Sequence, residues 1–324
     1  MKKVLVTGAA GYIGSVLVRK LLERGYFVRG LDLLLFGGES LLGVINHKNF
    51  EFIKGDIRDI SIIKEATKNI DAIIHLAAIV GDPACSKQPA LAEEINWFGT
   101  QQLFDYTNKD TKIERFVFAS TCSNYGKMKD DDYVDENSPL NPVSLYARLK
   151  VRFEEYLINS KTRDNFIPTS LRFATVYGVS PRMRFDLTVN EFMRDATLDR
   201  ELVVFGEYFW RPYCHVEDLA NACILVLETN KHVVDHNVFN VGDTDENYQK
   251  KMIVDEILKI IPETKVKYVP QIEDPRDYKV NFSKIKNLLG FNITKRVPDG
   301  LKEIYQIIKY GIISEPDSIK YKNI

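Results

Sequence analysis

Nine residues near the start of the chain, "VTGAAGYIG", constrain its fold more than any other stretch. The apolar run "KKVLVTG" (2–8) reads as a strand, and residues 12–24 read as an amphipathic helix. Gly8, Gly11 and Gly14 fall at the junction, with Tyr12 and Ile13 between them. Residues without a Cβ let another group approach the backbone closely. The helix N-terminus behind them offers free N–H groups and a partial positive charge, which suits a pyrophosphate. A glycine-rich turn after a strand also arises for packing alone, so the motif by itself leaves both readings open.

The alternation continues. Strands are expected at 27–33, 50–56, 72–78, 115–120 and 169–178, several of them apolar on both faces, as in a parallel sheet covered by helices. Helices are expected near 59–69, 88–108 and 144–162. This pattern predicts an α/β fold with a doubly wound parallel sheet over 1–178. From 179 to 312 the pattern loosens into a smaller mixed α/β lobe, while a strand near 236–242 is expected to return to the first sheet. Residues 313–324 form a polar tail expected to fray.

Composition excludes some classes of partner. The chain has 324 residues, 45% of them hydrophobic, enough for a large core with a lobe appended. Its 44 basic and 45 acidic residues are spread along the sequence, so no basic patch points to nucleic acid. No apolar run approaches the ~18 residues that span a bilayer. The N-terminus runs into a strand pattern without a signal-peptide profile, so a cytoplasmic location away from membranes is expected. Cys85, Cys122, Cys214 and Cys223 show no CxxC spacing, which points to reduced thiols and no metal site.

Asp32 ends the second strand, eighteen residues after Gly14. A carboxylate there accepts hydrogen bonds from a ribose diol and repels a 2′-phosphate, so with the glycines it favours NAD over NADP. Asp56 and Ile57 follow the third strand, where an adenine edge is within reach; "GDIRD" (55–59) also suits a plain helix cap. In "HLAA" (75–78), Leu76, Ala77 and Ala78 leave room for a cofactor, and His75 is expected to bond locally.

Tyr146 and Lys150 of "YARLK" lie at i and i+4 and share one helix face. A phenol is only about 0.1% ionised at pH 7, and lowering its pKa by about three units takes roughly 4 kcal/mol. A neighbouring ammonium and an oxidised nicotinamide ring are suitable sources.

The ordered set "TGAAGYIG", Asp32, "GDIRD", "HLAA", "EEINWFGT", "STCSNYG" and "YARLK" resembles the extended short-chain dehydrogenase/reductase superfamily, in particular its NAD-dependent nucleotide-sugar epimerases, dehydratases and decarboxylases. "LRFATVYG", "RPYCHVEDLA", "VFNVG" and "DPRDYKV" agree, so the likeness runs from residue 2 to about 290. It implies a Rossmann-type first domain, a nucleotide-diphosphate sugar as substrate, and a homodimer formed through the helices near 88–108 and 144–162. It implies that Tyr146 is the general base, that Lys150 binds the nicotinamide ribose, and that Thr121 hydrogen-bonds the reacting oxygen. Asn96 matches a helix asparagine used near the site, though a purely structural bond suits it equally.

Sugar 4,6-dehydratases of this superfamily carry Asp-Glu after the threonine. Cys122 and Ser123 stand there in this chain, and neither replaces an acid/base pair. Redox chemistry at C4 is therefore expected, as 4-epimerisation or, alternatively, as net oxidation or reduction by a C4 dehydrogenase or ketoreductase of the GDP-heptose kind. A silent NAD-binding regulator is the remaining alternative. Thr121, Cys122 and Ser123 are expected on the substrate wall. Thr175 replaces the family's usual asparagine, and "SPRMRFDLTVNEF" adds Arg182 and Arg184 near the substrate. Arg211 and Arg276 match the diphosphate clamp, a task suited to the planar guanidinium; salt bridges to Asp218 or Asp277 are the structural alternative.

Overall fold

The computed structural model describes residues 2–127, 132–271 and 276–323. The chain opens with β1 (Lys3–Thr7), α1 (Tyr12–Glu23), β2 (Phe27–Asp32), β3 (Phe50–Lys54), α2 (Ile60–Thr67) and β4 (Ala72–His75). Two short helices, α3 (Asp82–Lys87) and α4 (Pro89–Glu93), lead through a π-helical turn (Glu94–Gly99) into α5 (Thr100–Asp110). Next come β5 (Arg115–Thr121), β6 (Tyr133–Val134), α6 (Leu145–Asn159), β7 (Ile167–Phe173) and β8 (Thr175–Tyr177). They are followed by α7 (Thr188–Thr197), β9 (Leu202–Phe205), β10 (Trp210–His215), α8 (Val216–Glu228), α9 (Lys231–Val234) and β11 (Asn237–Val241). The last elements are β12 (Asn247–Gln249), α10 (Lys250–Ile260), β13 (Val266–Val269), β14 (Lys279–Val280), α11 (Ser283–Leu289) and α12 (Val297–Lys309).

Seven parallel strands form the main sheet in the order β11-β7-β5-β4-β1-β2-β3. Alternate residues of one strand feed two cores. Val4 and Val6 join the core that includes α1 and α8, whereas Leu5 joins the one that includes α2, α5 and α6. Helices therefore cover both faces, and the doubly wound Rossmann-type class expected from the sequence is observed. An aromatic cluster fixes the second face, with Phe118 and Phe153 rings 4.6 Å apart. That contact seats α6 against β5.

Two expected elements differ in detail. The strand expected over 169–178 divides at Ala174, whose N–H donates to Val241 O at 3.1 Å. β7 stays in the main sheet, and β8 turns away to pair with β10 in a three-stranded sheet. The helix expected over 88–108 is broken by the π-helical turn, where the Thr100 hydroxyl donates to Ile95 O at 3.1 Å. β11 pairs in parallel with β7, so residues far along the chain extend the first sheet.

Strand order reverses between β1 and β4. In open α/β sheets, ligands bind in the crevice at the carboxyl ends of the strands at such a point. Gly8, with φ +73°, lies there, and a Cβ on it would meet Ala77 N at 2.9 Å. A Cβ on Gly14 would meet Gly8 O at 2.0 Å, so α1 packs on this turn only through glycine.

Candidate active site

The crevice widens into one cleft of about 430 Å³, within the ~300–1,000 Å³ of small-molecule sites. It is lined by most of the residues expected to hold NAD: Gly8, Gly11, Tyr12, Ile13, Gly14, Asp32, Asp56, Ile57, Leu76, Ala77 and Ala78. The cleft is also lined by Thr121, Ser123, Tyr146, Lys150, Thr175, Arg182, Arg184, Arg211 and Arg276. Residues from β1 to the segment before β14 thus meet in one cavity.

Asp32 is held by two backbone donors, Ala10 N–H at 2.9 Å to one carboxylate oxygen and Leu34 N–H at 2.8 Å to the other. Burial lifts its pKa above the ordinary carboxylate value, against the opposing pull of those donors and of Arg182. The carboxylate is rigid and keeps lone pairs free for further donors.

Ser144 opens α6 by accepting from Ala147 N–H at 3.2 Å, which starts the helix two residues before Tyr146. One turn on, the Lys150 ammonium donates to Ala119 O at 2.7 Å and lies 4.7 Å from the centre of the Phe118 ring. It also lies 5.9 Å from the centre of the Tyr146 ring. Burial lowers the Lys150 pKa to about 8. Burial raises the Tyr146 phenol well above its ordinary value, reinforced by Cys85 and Asp82 and opposed by Arg184. Burial thus favours the protonated phenol, and a nearby positive charge would be needed to lower its pKa and make the phenolate available.

Cys122 and Asn96 lie off the cleft lining and Arg182 lies nearer Asp32 than expected, whereas Arg184 and Arg276 line the cleft while paired with carboxylates. Cys122 is buried and does not line the cleft; it follows Thr121 at the end of β5, where successive side chains point to opposite faces, and its thiol donates to Arg172 O at 3.2 Å. Asn96 stands behind the cleft wall. Its Oδ1 accepts from Ile79 N–H at 2.8 Å and its Nδ2 donates to Ile79 O at 2.9 Å, so it shapes the wall through Ile79. Arg182 sits near Asp32, stacked 4.5 Å from the Phe36 ring centre, and so lies at the Asp32 end of the cleft. Arg184 is bound bidentately by Asp186 at 2.9 and 2.7 Å. Arg276 pairs with Asp82 at 3.0 Å, and Asp277 instead accepts from Trp210 N–H at 2.8 Å.

Tyr278 was not singled out from the sequence. It is buried, lines the cleft between Ser123 and Arg211, and burial pushes its phenol up to about 12. Its signal was available as the aromatic residue of "DPRDYKV", but its aim into the cleft depends on β14 pairing with β6. His75 is locked between Thr7 and Thr100 hydroxyls at 2.7 and 3.0 Å, and burial holds it near pKa 3, so it stays neutral. His215 caps α8 and faces Glu303 at 3.1 Å. Among the described residues, the carboxylates lining the cleft are Asp32 and Asp56, both at the ends of β2 and β3. No group of described His, Cys, Asp or Glu side chains is placed to hold a metal, and no described helix is long and apolar enough to cross a membrane.

Comparison with known proteins places this geometry. Residues 4–242 match the model of the NAD dependent epimerase/dehydratase family. The chain is 30% identical to a UDP-glucose 4-epimerase of Lactobacillus helveticus over 275 residues, 80% of this chain and 81% of that one. Its fold is similar to the crystal structure of a UDP-glucuronic acid 4-epimerase from Bacillus cereus in complex with UDP-glucuronic acid and NAD, with TM-score 0.84 and 28% identity over 95% of this chain and 99% of that one. A UDP-glucose 4-epimerase from Thermotoga maritima with UDP-glucose gives TM-score 0.83 and 27% identity over 96% and 99%.

Proposed function

The chain belongs to the NAD-dependent epimerase/dehydratase family, and on that premise we propose that it is an enzyme that epimerises C4 of a nucleotide-diphosphate sugar through a transient 4-keto sugar. One observation carries the reading: a hydroxyl, a phenol and an ammonium (Thr121, Tyr146 and Lys150) border the cleft around the end of β5, and no described carboxylate lines the cleft beside them.

The residues present fit NAD. The turn at Gly8 and Gly14 is closed to a Cβ, as a cradle for a pyrophosphate requires, and Asp32 is fixed as an acceptor for ribose hydroxyls. Lys150 is the donor for the nicotinamide ribose. When bound, NAD supplies the hydride acceptor and a positively charged ring near the phenol. Tyr146 takes the proton from the sugar O4, and Thr121 hydrogen-bonds the same oxygen. Lys150 keeps a positive charge one turn from the phenol. Arg211 and Arg276 hold the sugar's diphosphate, and Ser123, Tyr278, Thr175 and Arg184 line the substrate side. The chemistry NAD would supply is acceptance of the hydride from C4 and its return to the other face of the keto sugar; with Tyr146 giving the proton back to O4, the C4 epimer results.

Elimination at C5 and C6 needs an acid and a base beside the sugar. Cys122 is turned inward and its thiol is raised well above its ordinary pKa by burial, so it supplies neither. The test is incubation with UDP-, GDP- and dTDP-hexoses and a GDP-heptose, with and without added NAD, in deuterated water. The expected product has unchanged mass, inverted C4 and no deuterium at C5. Net loss of two hydrogens would replace epimerisation by C4 oxidation. A 4-keto-6-deoxy product labelled at C5 would overturn the reading.

Asp32→Asn is expected to raise the NADP-to-NAD affinity ratio by about tenfold or more, a shift of about 1.4 kcal/mol. The charge that repels a 2′-phosphate disappears, and Arg182 stays close by to attract it. Calorimetric titration of both cofactors checks this, and an unchanged ratio would remove Asp32 from the ribose.

We also propose that the enzyme works in the cytoplasm as a homodimer. The faces of α5 and α6 are the docking surface, with Phe98, 56% exposed, at the end of the π-helical turn leading into α5. Light scattering of wild type and Phe98→Glu checks the assembly.

A further inference from the structure

The polar tail expected to fray is tied down along its length. Asp317 takes Arg200 in an ion pair at 2.5 Å and lies 3.9 Å from Arg194. Three consecutive residues then bond to the loop between β8 and α7. Tyr321 O accepts from Phe185 N–H at 2.9 Å, Lys322 O accepts from Arg182 at 3.2 Å, and Asn323 N–H donates to Asp186 at 3.1 Å. The Tyr321 ring packs edge-on against Phe185, with centroids 5.6 Å apart. Residues 321–323 thus lie against the loop that carries Arg182 and Arg184, and Asn323 lines the cleft.

Two polar atoms on this wall lack partners. Arg182 is only 7% exposed, and its Nε has no hydrogen-bond acceptor. No described carboxylate lies within ion-pair distance of it. Asn323 Oδ1 is also buried without a donor. Buried polar atoms without partners are rare in folded proteins and call for an explanation. Either setting of the Asn323 amide leaves one polar atom at this spot. An orphan donor beside Asp32 and Phe36 and an orphan acceptor that lines the same cleft describe half of a binding site.

We propose that residues 319–323 form a strap completing the cofactor half of the cleft, in which Arg182 and Asn323 hydrogen-bond the adenosine end of NAD. The proposal rests on the NAD reading above. A phosphate oxygen only accepts, so it would serve Arg182 but would serve the Asn323 amide only with its nitrogen facing the cleft. A ribose hydroxyl donates as well as accepts, and the adenine amino group donates. Adenosine therefore serves both orphans, and Asp32 takes a remaining hydroxyl. Because Asn323 lines the cleft and residues 321–323 bond to the loop that carries Arg182, the strap slows release of NAD and sets how long it is retained.

The experiment uses Asn323→Ala, Arg182→Met and a chain truncated after Ser318, each checked for an unchanged melting temperature. Affinity is measured for NAD, ADP-ribose and nicotinamide mononucleotide without any sugar nucleotide, and release of bound NAD is followed by exchange with labelled NAD. NAD and ADP-ribose are expected to weaken about tenfold or more, with NAD release faster by a similar factor. Nicotinamide mononucleotide is expected to bind as to wild type. Asn323→Ala keeps the test valid if either of the other two fails to fold. Wild-type affinity and release in Asn323→Ala, or equal weakening of the mononucleotide, would overturn the proposal. Failure of wild type itself to bind NAD would overturn the cofactor reading beneath it.

Discussion

Tyr146→Phe is expected to fold, to bind NAD as wild type does, and to lose at least about a hundredfold in kcat, the usual cost of removing a general base. The substitution deletes one oxygen and leaves the ring on α6. The ring's surroundings stay as they are, with the Lys150 ammonium 5.9 Å away, so cofactor affinity has no reason to fall. The rate depends on ionising a phenol that burial holds protonated. Wild-type turnover should therefore rise with pH as the phenolate forms, and that rise should be absent from the residual rate of the variant. Lys150 contributes from the other direction. Its pKa is lowered to about 8, so it is mostly charged at neutral pH and discharges as pH climbs through that value. Steady-state kinetics over a pH series, with NAD affinity measured separately, checks both limbs. Near-wild-type turnover in Tyr146→Phe would remove the residue from the chemistry.

Arg172→Met is expected to cost about 3–5 kcal/mol of stability, the range for breaking a buried ion pair by removing one partner. Arg172 and Glu154 are 6% and 3% exposed, and the pair is closed by two bonds of 2.9 and 2.7 Å to one carboxylate oxygen. Ser170 donates to the other oxygen at 2.7 Å, and Arg172 also donates to the Tyr125 hydroxyl at 2.8 Å. Tyr125 in turn donates to Asn240 of β11 at 2.8 Å. Methionine fills much of the volume but leaves a buried carboxylate with one hydroxyl partner. The double substitution Arg172→Met with Glu154→Leu removes both charges and should recover much of the loss. Urea unfolding of wild type, single and double variants measures the difference. A single variant as stable as wild type would show that the pair carries little of the link between α6, β7 and β11.

That network shows where sequence reading stops. Glu154 and Arg172 are ordinary charged residues in the sequence, and nothing local says that they meet in the core. The same holds for Cys122. The sequence places it in a hydroxyl-rich stretch and so on the substrate wall, whereas it packs into the core at the end of β5. Asn96 was legible as a residue near the site, but its bonds to Ile79 depend on how the π-helical turn sits against the loop after β4.

What the sequence determined by itself is local and periodic. Alternating apolar runs fixed the strands and helices of the main sheet, because burial on both faces requires apolar residues throughout a strand. The glycines at 8 and 14 fixed the turn, because a positive φ with a 2.9 Å contact at Gly8 and a 2.0 Å contact at Gly14 exclude a Cβ. Tyr146 and Lys150 were fixed on one face by helical spacing alone. Only the tertiary structure decided the placement of Arg182, the inward turn of Cys122, the aim of Tyr278 and the docking of residues 319–323. Each of these depends on contacts with distant parts of the chain or on local packing that side-chain identity does not encode. Arg182, for example, meets Lys322 140 positions away. Side-chain type states what such a residue can bond, and packing alone chooses which partner it meets.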